Sequence, residues 1–264
     1  MKVESSAVKD LREKTGAGIL ACKQALAKSG GDFEKAIDLL RAEGLARAAT
    51  REGRSAREGM LRLKISPDGK KAAMVEVNSE TDFVARTADF QNLAEILVEE
   101  IFHRGEAAKD HPEIQEKVAL VSGKTGEKVA FRRALSWTRD NYIGGYLHHN
   151  QKLAVLVELS HPDPEAAREI AMQVAVSNPD FLVEADIPGE VAEREKAIFR
   201  AQAADKPENI REKVVEGKWR SRMAELCLMG QPYIRDPKMS VKDYLKKKNP
   251  ALMVQGFVRW RLGE

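Results

Sequence analysis

The chain has 264 residues, 43% of them hydrophobic and 32% charged, enough to bury a core of one or two domains while keeping charged helix faces in water. Lysine and arginine total 44 against 41 aspartate and glutamate, and a net charge of +3 is too small for the footprint of a nucleic-acid-binding protein. No apolar run of about 18 residues occurs, the opening MKVESSAVKD lacks the apolar stretch of a secretory signal, and Cys22 and Cys227 sit in no metal or redox motif. A cytoplasmic or organelle-matrix protein with reduced thiols, no metal and no cofactor is expected.

Apolar residues recur at helical spacing through Val8 and Leu11, then Ile19, Cys22 and Leu26, then Phe33, Ile37 and Leu40, which predicts a three-helix unit over residues 1–45. TGAG (Thr15–Gly18) and SGGD (Ser29–Asp32) separate the helices. Asp32 has the side chain to cap the third, and Gly44 is expected to end it. Residues 46–59, with Arg47, Arg51, Arg54 and Arg57 and little apolar periodicity, read as a helical or flexible linker, with a charged RNA-binding arm as the alternative.

The period then changes. LRLKI (Leu61–Ile65), the turn SPDGK and the run AAMVEV predict a β-hairpin, and Thr87 caps a predicted helix whose stripe of Phe90, Leu93, Ala94, Leu97, Val98 and Ile101 stops before Gly105. A second β-β-α unit follows in YIGGYLHH, KLAVLVEL and DPEAAREIAMQVAV, where Asp163 is the cap and Pro164 the first helical residue. Aligning Val75-Glu76-Val77 with Val157-Glu158-Leu159 gives an offset of 82 residues and pairs Lys70 with Lys152 and Ala72 with Ala154. Two related subdomains are therefore expected in a core over residues 60–186.

That offset sets Glu165 opposite Phe83. A helix's first turn favours an acidic residue, so the aromatic in EVNSETDFVAR stands out. Two readings are open: the ring folds back onto the hairpin as a hydrophobic staple does, or it is presented for contact with another molecule. The polar neighbours Asn78–Glu80, Thr81 and Asp82 favour an exposed corner.

Residues 187–230 contain two charged helical runs, with Ile198 on the first and Ile210, Val214, Met223 and Leu226 on the second. They predict an antiparallel helical hairpin, either projecting from the body or packed as ordinary core helices. Residues 231–264 return to the core, and FVRWRLGE alternates as a last strand. The fold class is α+β.

Little supports catalysis. GKTGEK (Gly123–Lys128) has Val118 where a phosphate-binding loop needs glycine, YIGGYL is no dinucleotide fingerprint, and neighbouring His148 and His149 on a strand would face opposite ways.

LREKTGAGILACKQAL, VEVNSETDFVAR and KPENIREKVVEGKWRSRMAELCLMGQPYI, with GEKVAFRRA and the terminal FVRWRLGE, resemble the elongation factor Ts family over nearly the whole chain. The resemblance implies a ubiquitin-associated-like (UBA-like) N-terminal domain, a core of two related subdomains and a coiled-coil protrusion. It implies a non-catalytic guanine-nucleotide exchange factor whose partner is the GTPase elongation factor Tu. On matching positions it implies that Leu11, Arg12, Thr15, Gly16, Ala17 and Gly18 contact that partner. Thr81, Asp82, Phe83 and Val84 match the family's TDFV motif, whose aspartate and phenylalanine intrude beside the partner's magnesium and phosphate site. The chain departs from the common pattern at Ser79, often cysteine in members, and at Gln173, often histidine.

Overall fold

Three helices come first, α1 (Ser5–Thr15), α2 (Ile19–Lys28) and α3 (Phe33–Ala49). The computed structural model describes residues 3–264; Met1 and Lys2, at the start of the unit expected over 1–45, lie outside the described residues. Gly16 ends α1 in the left-handed conformation, at φ 65°, and the Asp32 side chain accepts the Lys35 N–H to open α3. Leu11, Cys22, Ala25, Leu26, Ala36 and Leu40 close a shared core. Ile19, expected on that buried stripe, is instead 58% exposed. It is the first residue of α2, and the inward face of that helix is already supplied by Cys22, Ala25 and Leu26.

The first sheet unit holds β1 (Glu58–Ile65), β2 (Lys71–Ser79), the single turn α4 (Asp82–Ala85), α5 (Ala88–Arg104), α6 (Pro112–Thr125) and β3 (Val129–Thr138). The second holds β4 (Tyr142–Leu147), β5 (Leu153–Leu159) and α7 (Pro164–Ser177). Then come α8 (Gly189–Gln202), α9 (Glu208–Leu226), the short strands β6 (Pro232–Tyr233) and β7 (Asp236–Ser240), α10 (Val241–Lys248) and β8 (Val254–Arg261).

Two three-stranded antiparallel sheets result, ordered β1-β2-β3 and β4-β5-β8, beside a small two-stranded β6-β7 ribbon. The repeat is fuller than a β-β-α pattern: in each copy a later strand returns to pair with the second. Even the irregularity repeats, since pairing with the third strand shifts register at Glu76/Val77 in one copy and at Glu158/Leu159 in the other, the same place under the 82-residue offset.

Side chains alternate across a strand, and this builds four layers. Ala73, Val75 and Val77 of β2 face α5 and α6, while Val155, Val157 and Leu159 of β5 face α7 and α10. The other faces meet each other: Leu61, Ala72, Met74 and Trp137 pack against Ile143, Ala154 and Leu156. Burial on both faces explains the near-continuous apolar runs of β2 and β5. The glycines of YIGGYL serve this packing, because a Cβ on Gly144 would stand 2.3 Å from Ala167 Cβ and one on Gly145 would stand 3.1 Å from Leu63 Cδ2.

Gly44 does not end α3, which runs through it to Ala49. It sits where α3 meets α6, and a Cβ on Gly123 would stand 2.8 Å from both Cα and the carbonyl oxygen of Gly44. The two glycines allow the helices to meet at their backbones.

The α8/α9 pair forms its own seam, from Ala192 and Phe199 to Trp219, Met223 and Leu226, with Phe181 and Ile187 also packed against it. The stripe runs one residue later than expected on the first helix. Phe199 turns inward beside Trp219, leaving Ile198 exposed, and Ile210 is exposed as well.

Candidate functional site

Strand β2 ends at Ser79, and the chain turns through Glu80 and Thr81 into α4. Ser79 Oγ donates to the Thr81 carbonyl at 2.8 Å, and Thr81 Oγ1 accepts the Val84 N–H at 3.4 Å as the cap of the turn. The Glu127 carboxylate accepts twice from Thr81, at 2.9 Å from its N–H and 2.7 Å from its hydroxyl. Glu80 in turn accepts the Lys128 N–H at 2.6 Å and pairs with Arg54 at 3.2 Å. The Lys128 N–H, and after it Arg54, hold the Glu80 carboxyl below its ordinary value.

Val84 and Ala85 insert into the core against α5 and β2. With those two residues inward, Phe83 is directed out and is 77% exposed. The ring does not fold back on the hairpin. Asp82 is held on the surface by Arg86, at 2.7 Å.

Under the repeat offset the cap Thr81 corresponds to Asp163, which accepts the Ala166 N–H at 2.9 Å in the same role. Phe83 and Glu165 are thus each the second residue of their helices. In the second copy that helix continues to Ser177; in the first it stops at Ala85, and Thr87 caps a new start at Ala88. Phe83 therefore stands on a separate turn, supported from beneath.

The N-terminal candidate residues form the α1–α2 corner. Thr15 Oγ1 donates to the Leu11 carbonyl at 2.6 Å and accepts the Ala17 N–H at 3.3 Å, while the Gly16 N–H donates to the Arg12 carbonyl at 2.7 Å. Arg12, Gly16 and Gly18 are exposed, Thr15 and Ala17 half-buried, and Leu11 lies inside the three-helix core and shapes the corner from within. Ile19 and Leu20, 58% and 68% exposed, extend this corner as an apolar surface that spacing alone did not mark. Beside it a cleft of about 760 Å³ runs between the N-terminal helices and α6, lined by Ala17, Leu20, Ile37, Arg41, Leu120 and Lys124.

One short segment touches both candidate surfaces. Lys124 lies across Gly16, where a Cβ would stand 1.8 Å from Lys124 Cε, and three residues on Glu127 holds Thr81. This is the run GKTGEK, set aside as a phosphate loop. Its glycine Gly126 caps the C-terminus of α6 at φ 80°, the wrong helix end to cradle an anion.

Gln173 is buried. Its amide nitrogen donates to Gln231 Oε1 at 3.1 Å and to the Pro232 carbonyl at 3.2 Å, and its oxygen accepts the Ile234 N–H at 2.8 Å. It ties α7 to the β6 segment beneath an exposed Val176 and Ile234.

These features define an α+β protein whose candidate site is a pair of outward-facing corners, one carrying an aromatic ring on a braced turn, the form of a macromolecular contact surface. Among the described residues, no helix is long and apolar enough to cross a membrane and no group of histidine, cysteine and carboxylate side chains could hold a metal ion.

The family model described as Elongation factor TS matches residues 80–264. Elongation factor Ts of Aquifex aeolicus is 37% identical, over 100% of this chain and 99% of its own length. That of Methylococcus capsulatus is 41% identical over 100% and 93%, and that of Pseudomonas aeruginosa 40% identical over 100% and 92%. The chain belongs to the elongation factor Ts family. Membership implies a nucleotide exchange factor for elongation factor Tu in translation elongation, not a catalyst in the usual sense.

Proposed function

We propose that this chain binds elongation factor Tu·GDP in the cytoplasm and releases the nucleotide by prying, with Phe83 as the wedge and Asp82 as the charge that perturbs the magnesium and phosphate site. The observation that carries this reading is the 77% exposure of Phe83 on a turn whose Val84 and Ala85 side chains are anchored in the core. Bound nucleotide and magnesium depend on a small set of oriented amides and oxygens, so a modest displacement weakens both. Burying the ring contributes about 1.5–3 kcal/mol toward that displacement. The rest comes from the surrounding surface, for which the α1–α2 corner with Ile19 and Leu20 is the second support. Asp82 is redirected cheaply, since an exposed ion pair such as that with Arg86 is worth about 0–1 kcal/mol.

The coupling is reciprocal: a factor that weakens GDP binding by some ratio is itself weakened by GDP in that ratio. GTP rebinding then completes the cycle and releases the factor. The reading of the linker as an RNA arm has less support, because Arg47 pairs with Glu43, Arg51 donates to the Ser122 carbonyl and Arg54 pairs with Glu80. The test is release of a fluorescent GDP analogue from elongation factor Tu. The wild-type chain accelerates release, Phe83→Ala loses most of the acceleration without losing thermal stability, and Asp82→Ala loses part. Equal acceleration by wild type and Phe83→Ala would remove the wedge.

A further inference from the structure

We infer that Glu127 is a positioning residue for the Phe83 turn, an inference that rests on the wedge reading above. Helix α4 is a single turn, too short to hold its own direction by internal hydrogen bonds. Val84 and Ala85 fix which face of it points inward, and its first end is held by its cap, Thr81, both of whose donors, the N–H and the hydroxyl, go to the Glu127 carboxylate at 2.9 and 2.7 Å. The arrangement is crossed. Glu127 grips the backbone and side chain of Thr81, while Glu80 grips the backbone of Lys128 at 2.6 Å.

The strut is itself fixed from below. Ser122 Oγ donates to the Glu127 carbonyl at 2.6 Å, and the Arg51 guanidinium donates to the Ser122 carbonyl at 2.9 Å. Arg54 reaches Glu80, and the Lys128 ammonium reaches the Glu52 carbonyl. The segment after α3 is thereby fastened to the base of the Phe83 turn at Glu80 and Lys128, and to α6 at Ser122. A wedge transmits force only if its base does not yield, and a displacement of about 1 Å at a working group can cost as much as a hundredfold in rate. Glu127 acts on Phe83 through Thr81, the residue it holds.

A merely structural role for Glu127 would lower the melting temperature and leave exchange by the folded molecule unchanged. The experiment therefore uses the full chain with elongation factor Tu carrying a fluorescent GDP analogue. It measures melting temperature, maximal release rate and half-saturating factor concentration for wild type, Phe83→Ala, Glu127→Ala, Glu127→Gln and the double variant. Glu127→Ala lowers the maximal rate about tenfold with half-saturation changed less than about threefold, and it does so at temperatures where the variant is folded. Glu127→Gln, which keeps one acceptor for the Thr81 N–H, falls between. In the Phe83→Ala background Glu127→Ala has no further effect, because its action passes through the ring.

A wild-type maximal rate in Glu127→Ala beside a slow Phe83→Ala would overturn the positioning role and leave the wedge standing, as would independent, multiplicative losses in the double variant. A wild-type rate in Phe83→Ala would remove the wedge and the positioning role with it. Should Glu127→Ala fail to fold, Glu127→Gln, which keeps the side-chain length and leaves the Thr81 cap of α4 in place, reports on the same brace: a several-fold slower maximal rate supports the inference and an unchanged one contradicts it.

Discussion

Gly16 shows how much a single position can be asked to do. At φ 65° it ends α1 in a conformation that L side chains enter at a cost of about 1–2 kcal/mol, and it also leaves room for the Lys124 side chain. Gly16→Ala is expected to destabilise the three-helix unit by about 1–2 kcal/mol, read as a lower melting temperature with increased amide exchange in α1 and α2. Other residues differ in how plainly the sequence displays them. Phe83 was legible, because the repeat set it opposite an acidic residue at a polar corner. Whether its ring pointed in or out was not, since that depends on Val84 and Ala85 having taken the inward positions. Ile19 and Cys22 lie on one helical stripe, and only the packing of α2 shows that the first is spare. Glu127 could not be found by spacing at all: its partner Thr81 lies 46 residues away, and nothing local marks a carboxylate as a strut.

Elements with a strong apolar period were readable, notably α5, whose predicted stripe from Phe90 to Ile101 is buried throughout, and the two hairpins with their SPDGK and HNQ turns. Those that depend on distant partners were not. Strand β3 takes its place from pairing with β2, more than 50 residues earlier at Val77↔Phe131, and α6 from docking on α3 and the sheet. The hairpin helices carry two adjacent apolar residues, Ile198 and Phe199, and only the bulk of Trp219 across the seam decides between them. At the α3–α6 crossing the two glycines have unequal roles. A Cβ on Gly44 would meet Gly123 Cα at an ordinary 4.0 Å, whereas one on Gly123 would meet Gly44 backbone at 2.8 Å. Gly44→Ala is therefore neutral or stabilising by up to about 1 kcal/mol through helix propensity, and Gly123→Ala destabilises the contact by about 1–3 kcal/mol. Thermal melts, with hydrogen exchange across α3 and α6, distinguish the two; equal effects would contradict the assigned packing.

Across the whole molecule the two sheets are joined face to face, and the C-terminal strand closes the join. Arg133 lies over the Trp260 ring at 4.4 Å and donates to the Arg261 carbonyl at 3.0 Å, while the Gly263 N–H donates to Glu76 at 3.0 Å. Glu76 is fully buried in this join. Burial alone would raise its pKa, but the Gly263 N–H, Arg132 and Arg133 together outweigh that and hold it below its ordinary 4.5. Because the folded value lies below the unfolded one, the stabilisation is complete above the ordinary value and is lost as pH falls through the folded value. Glu76→Gln should cost about 1.5–3 kcal/mol at pH 7 and flatten the acid limb of the stability profile, measured by urea unfolding between neutral and acidic pH. A variant that keeps the wild-type acid limb would show that Glu76 does not govern it. Such a rigid body matters because the proposed action is mechanical: a stiff α+β frame presses one ring into another protein's ligand site. The most direct measurement is a structure of this chain bound to nucleotide-free elongation factor Tu. The Phe83 ring, 77% exposed in the free chain, should be buried between elements of the GTPase beside its magnesium and phosphate site. A ring left in solvent, or turned back into its own hairpin, would contradict the account.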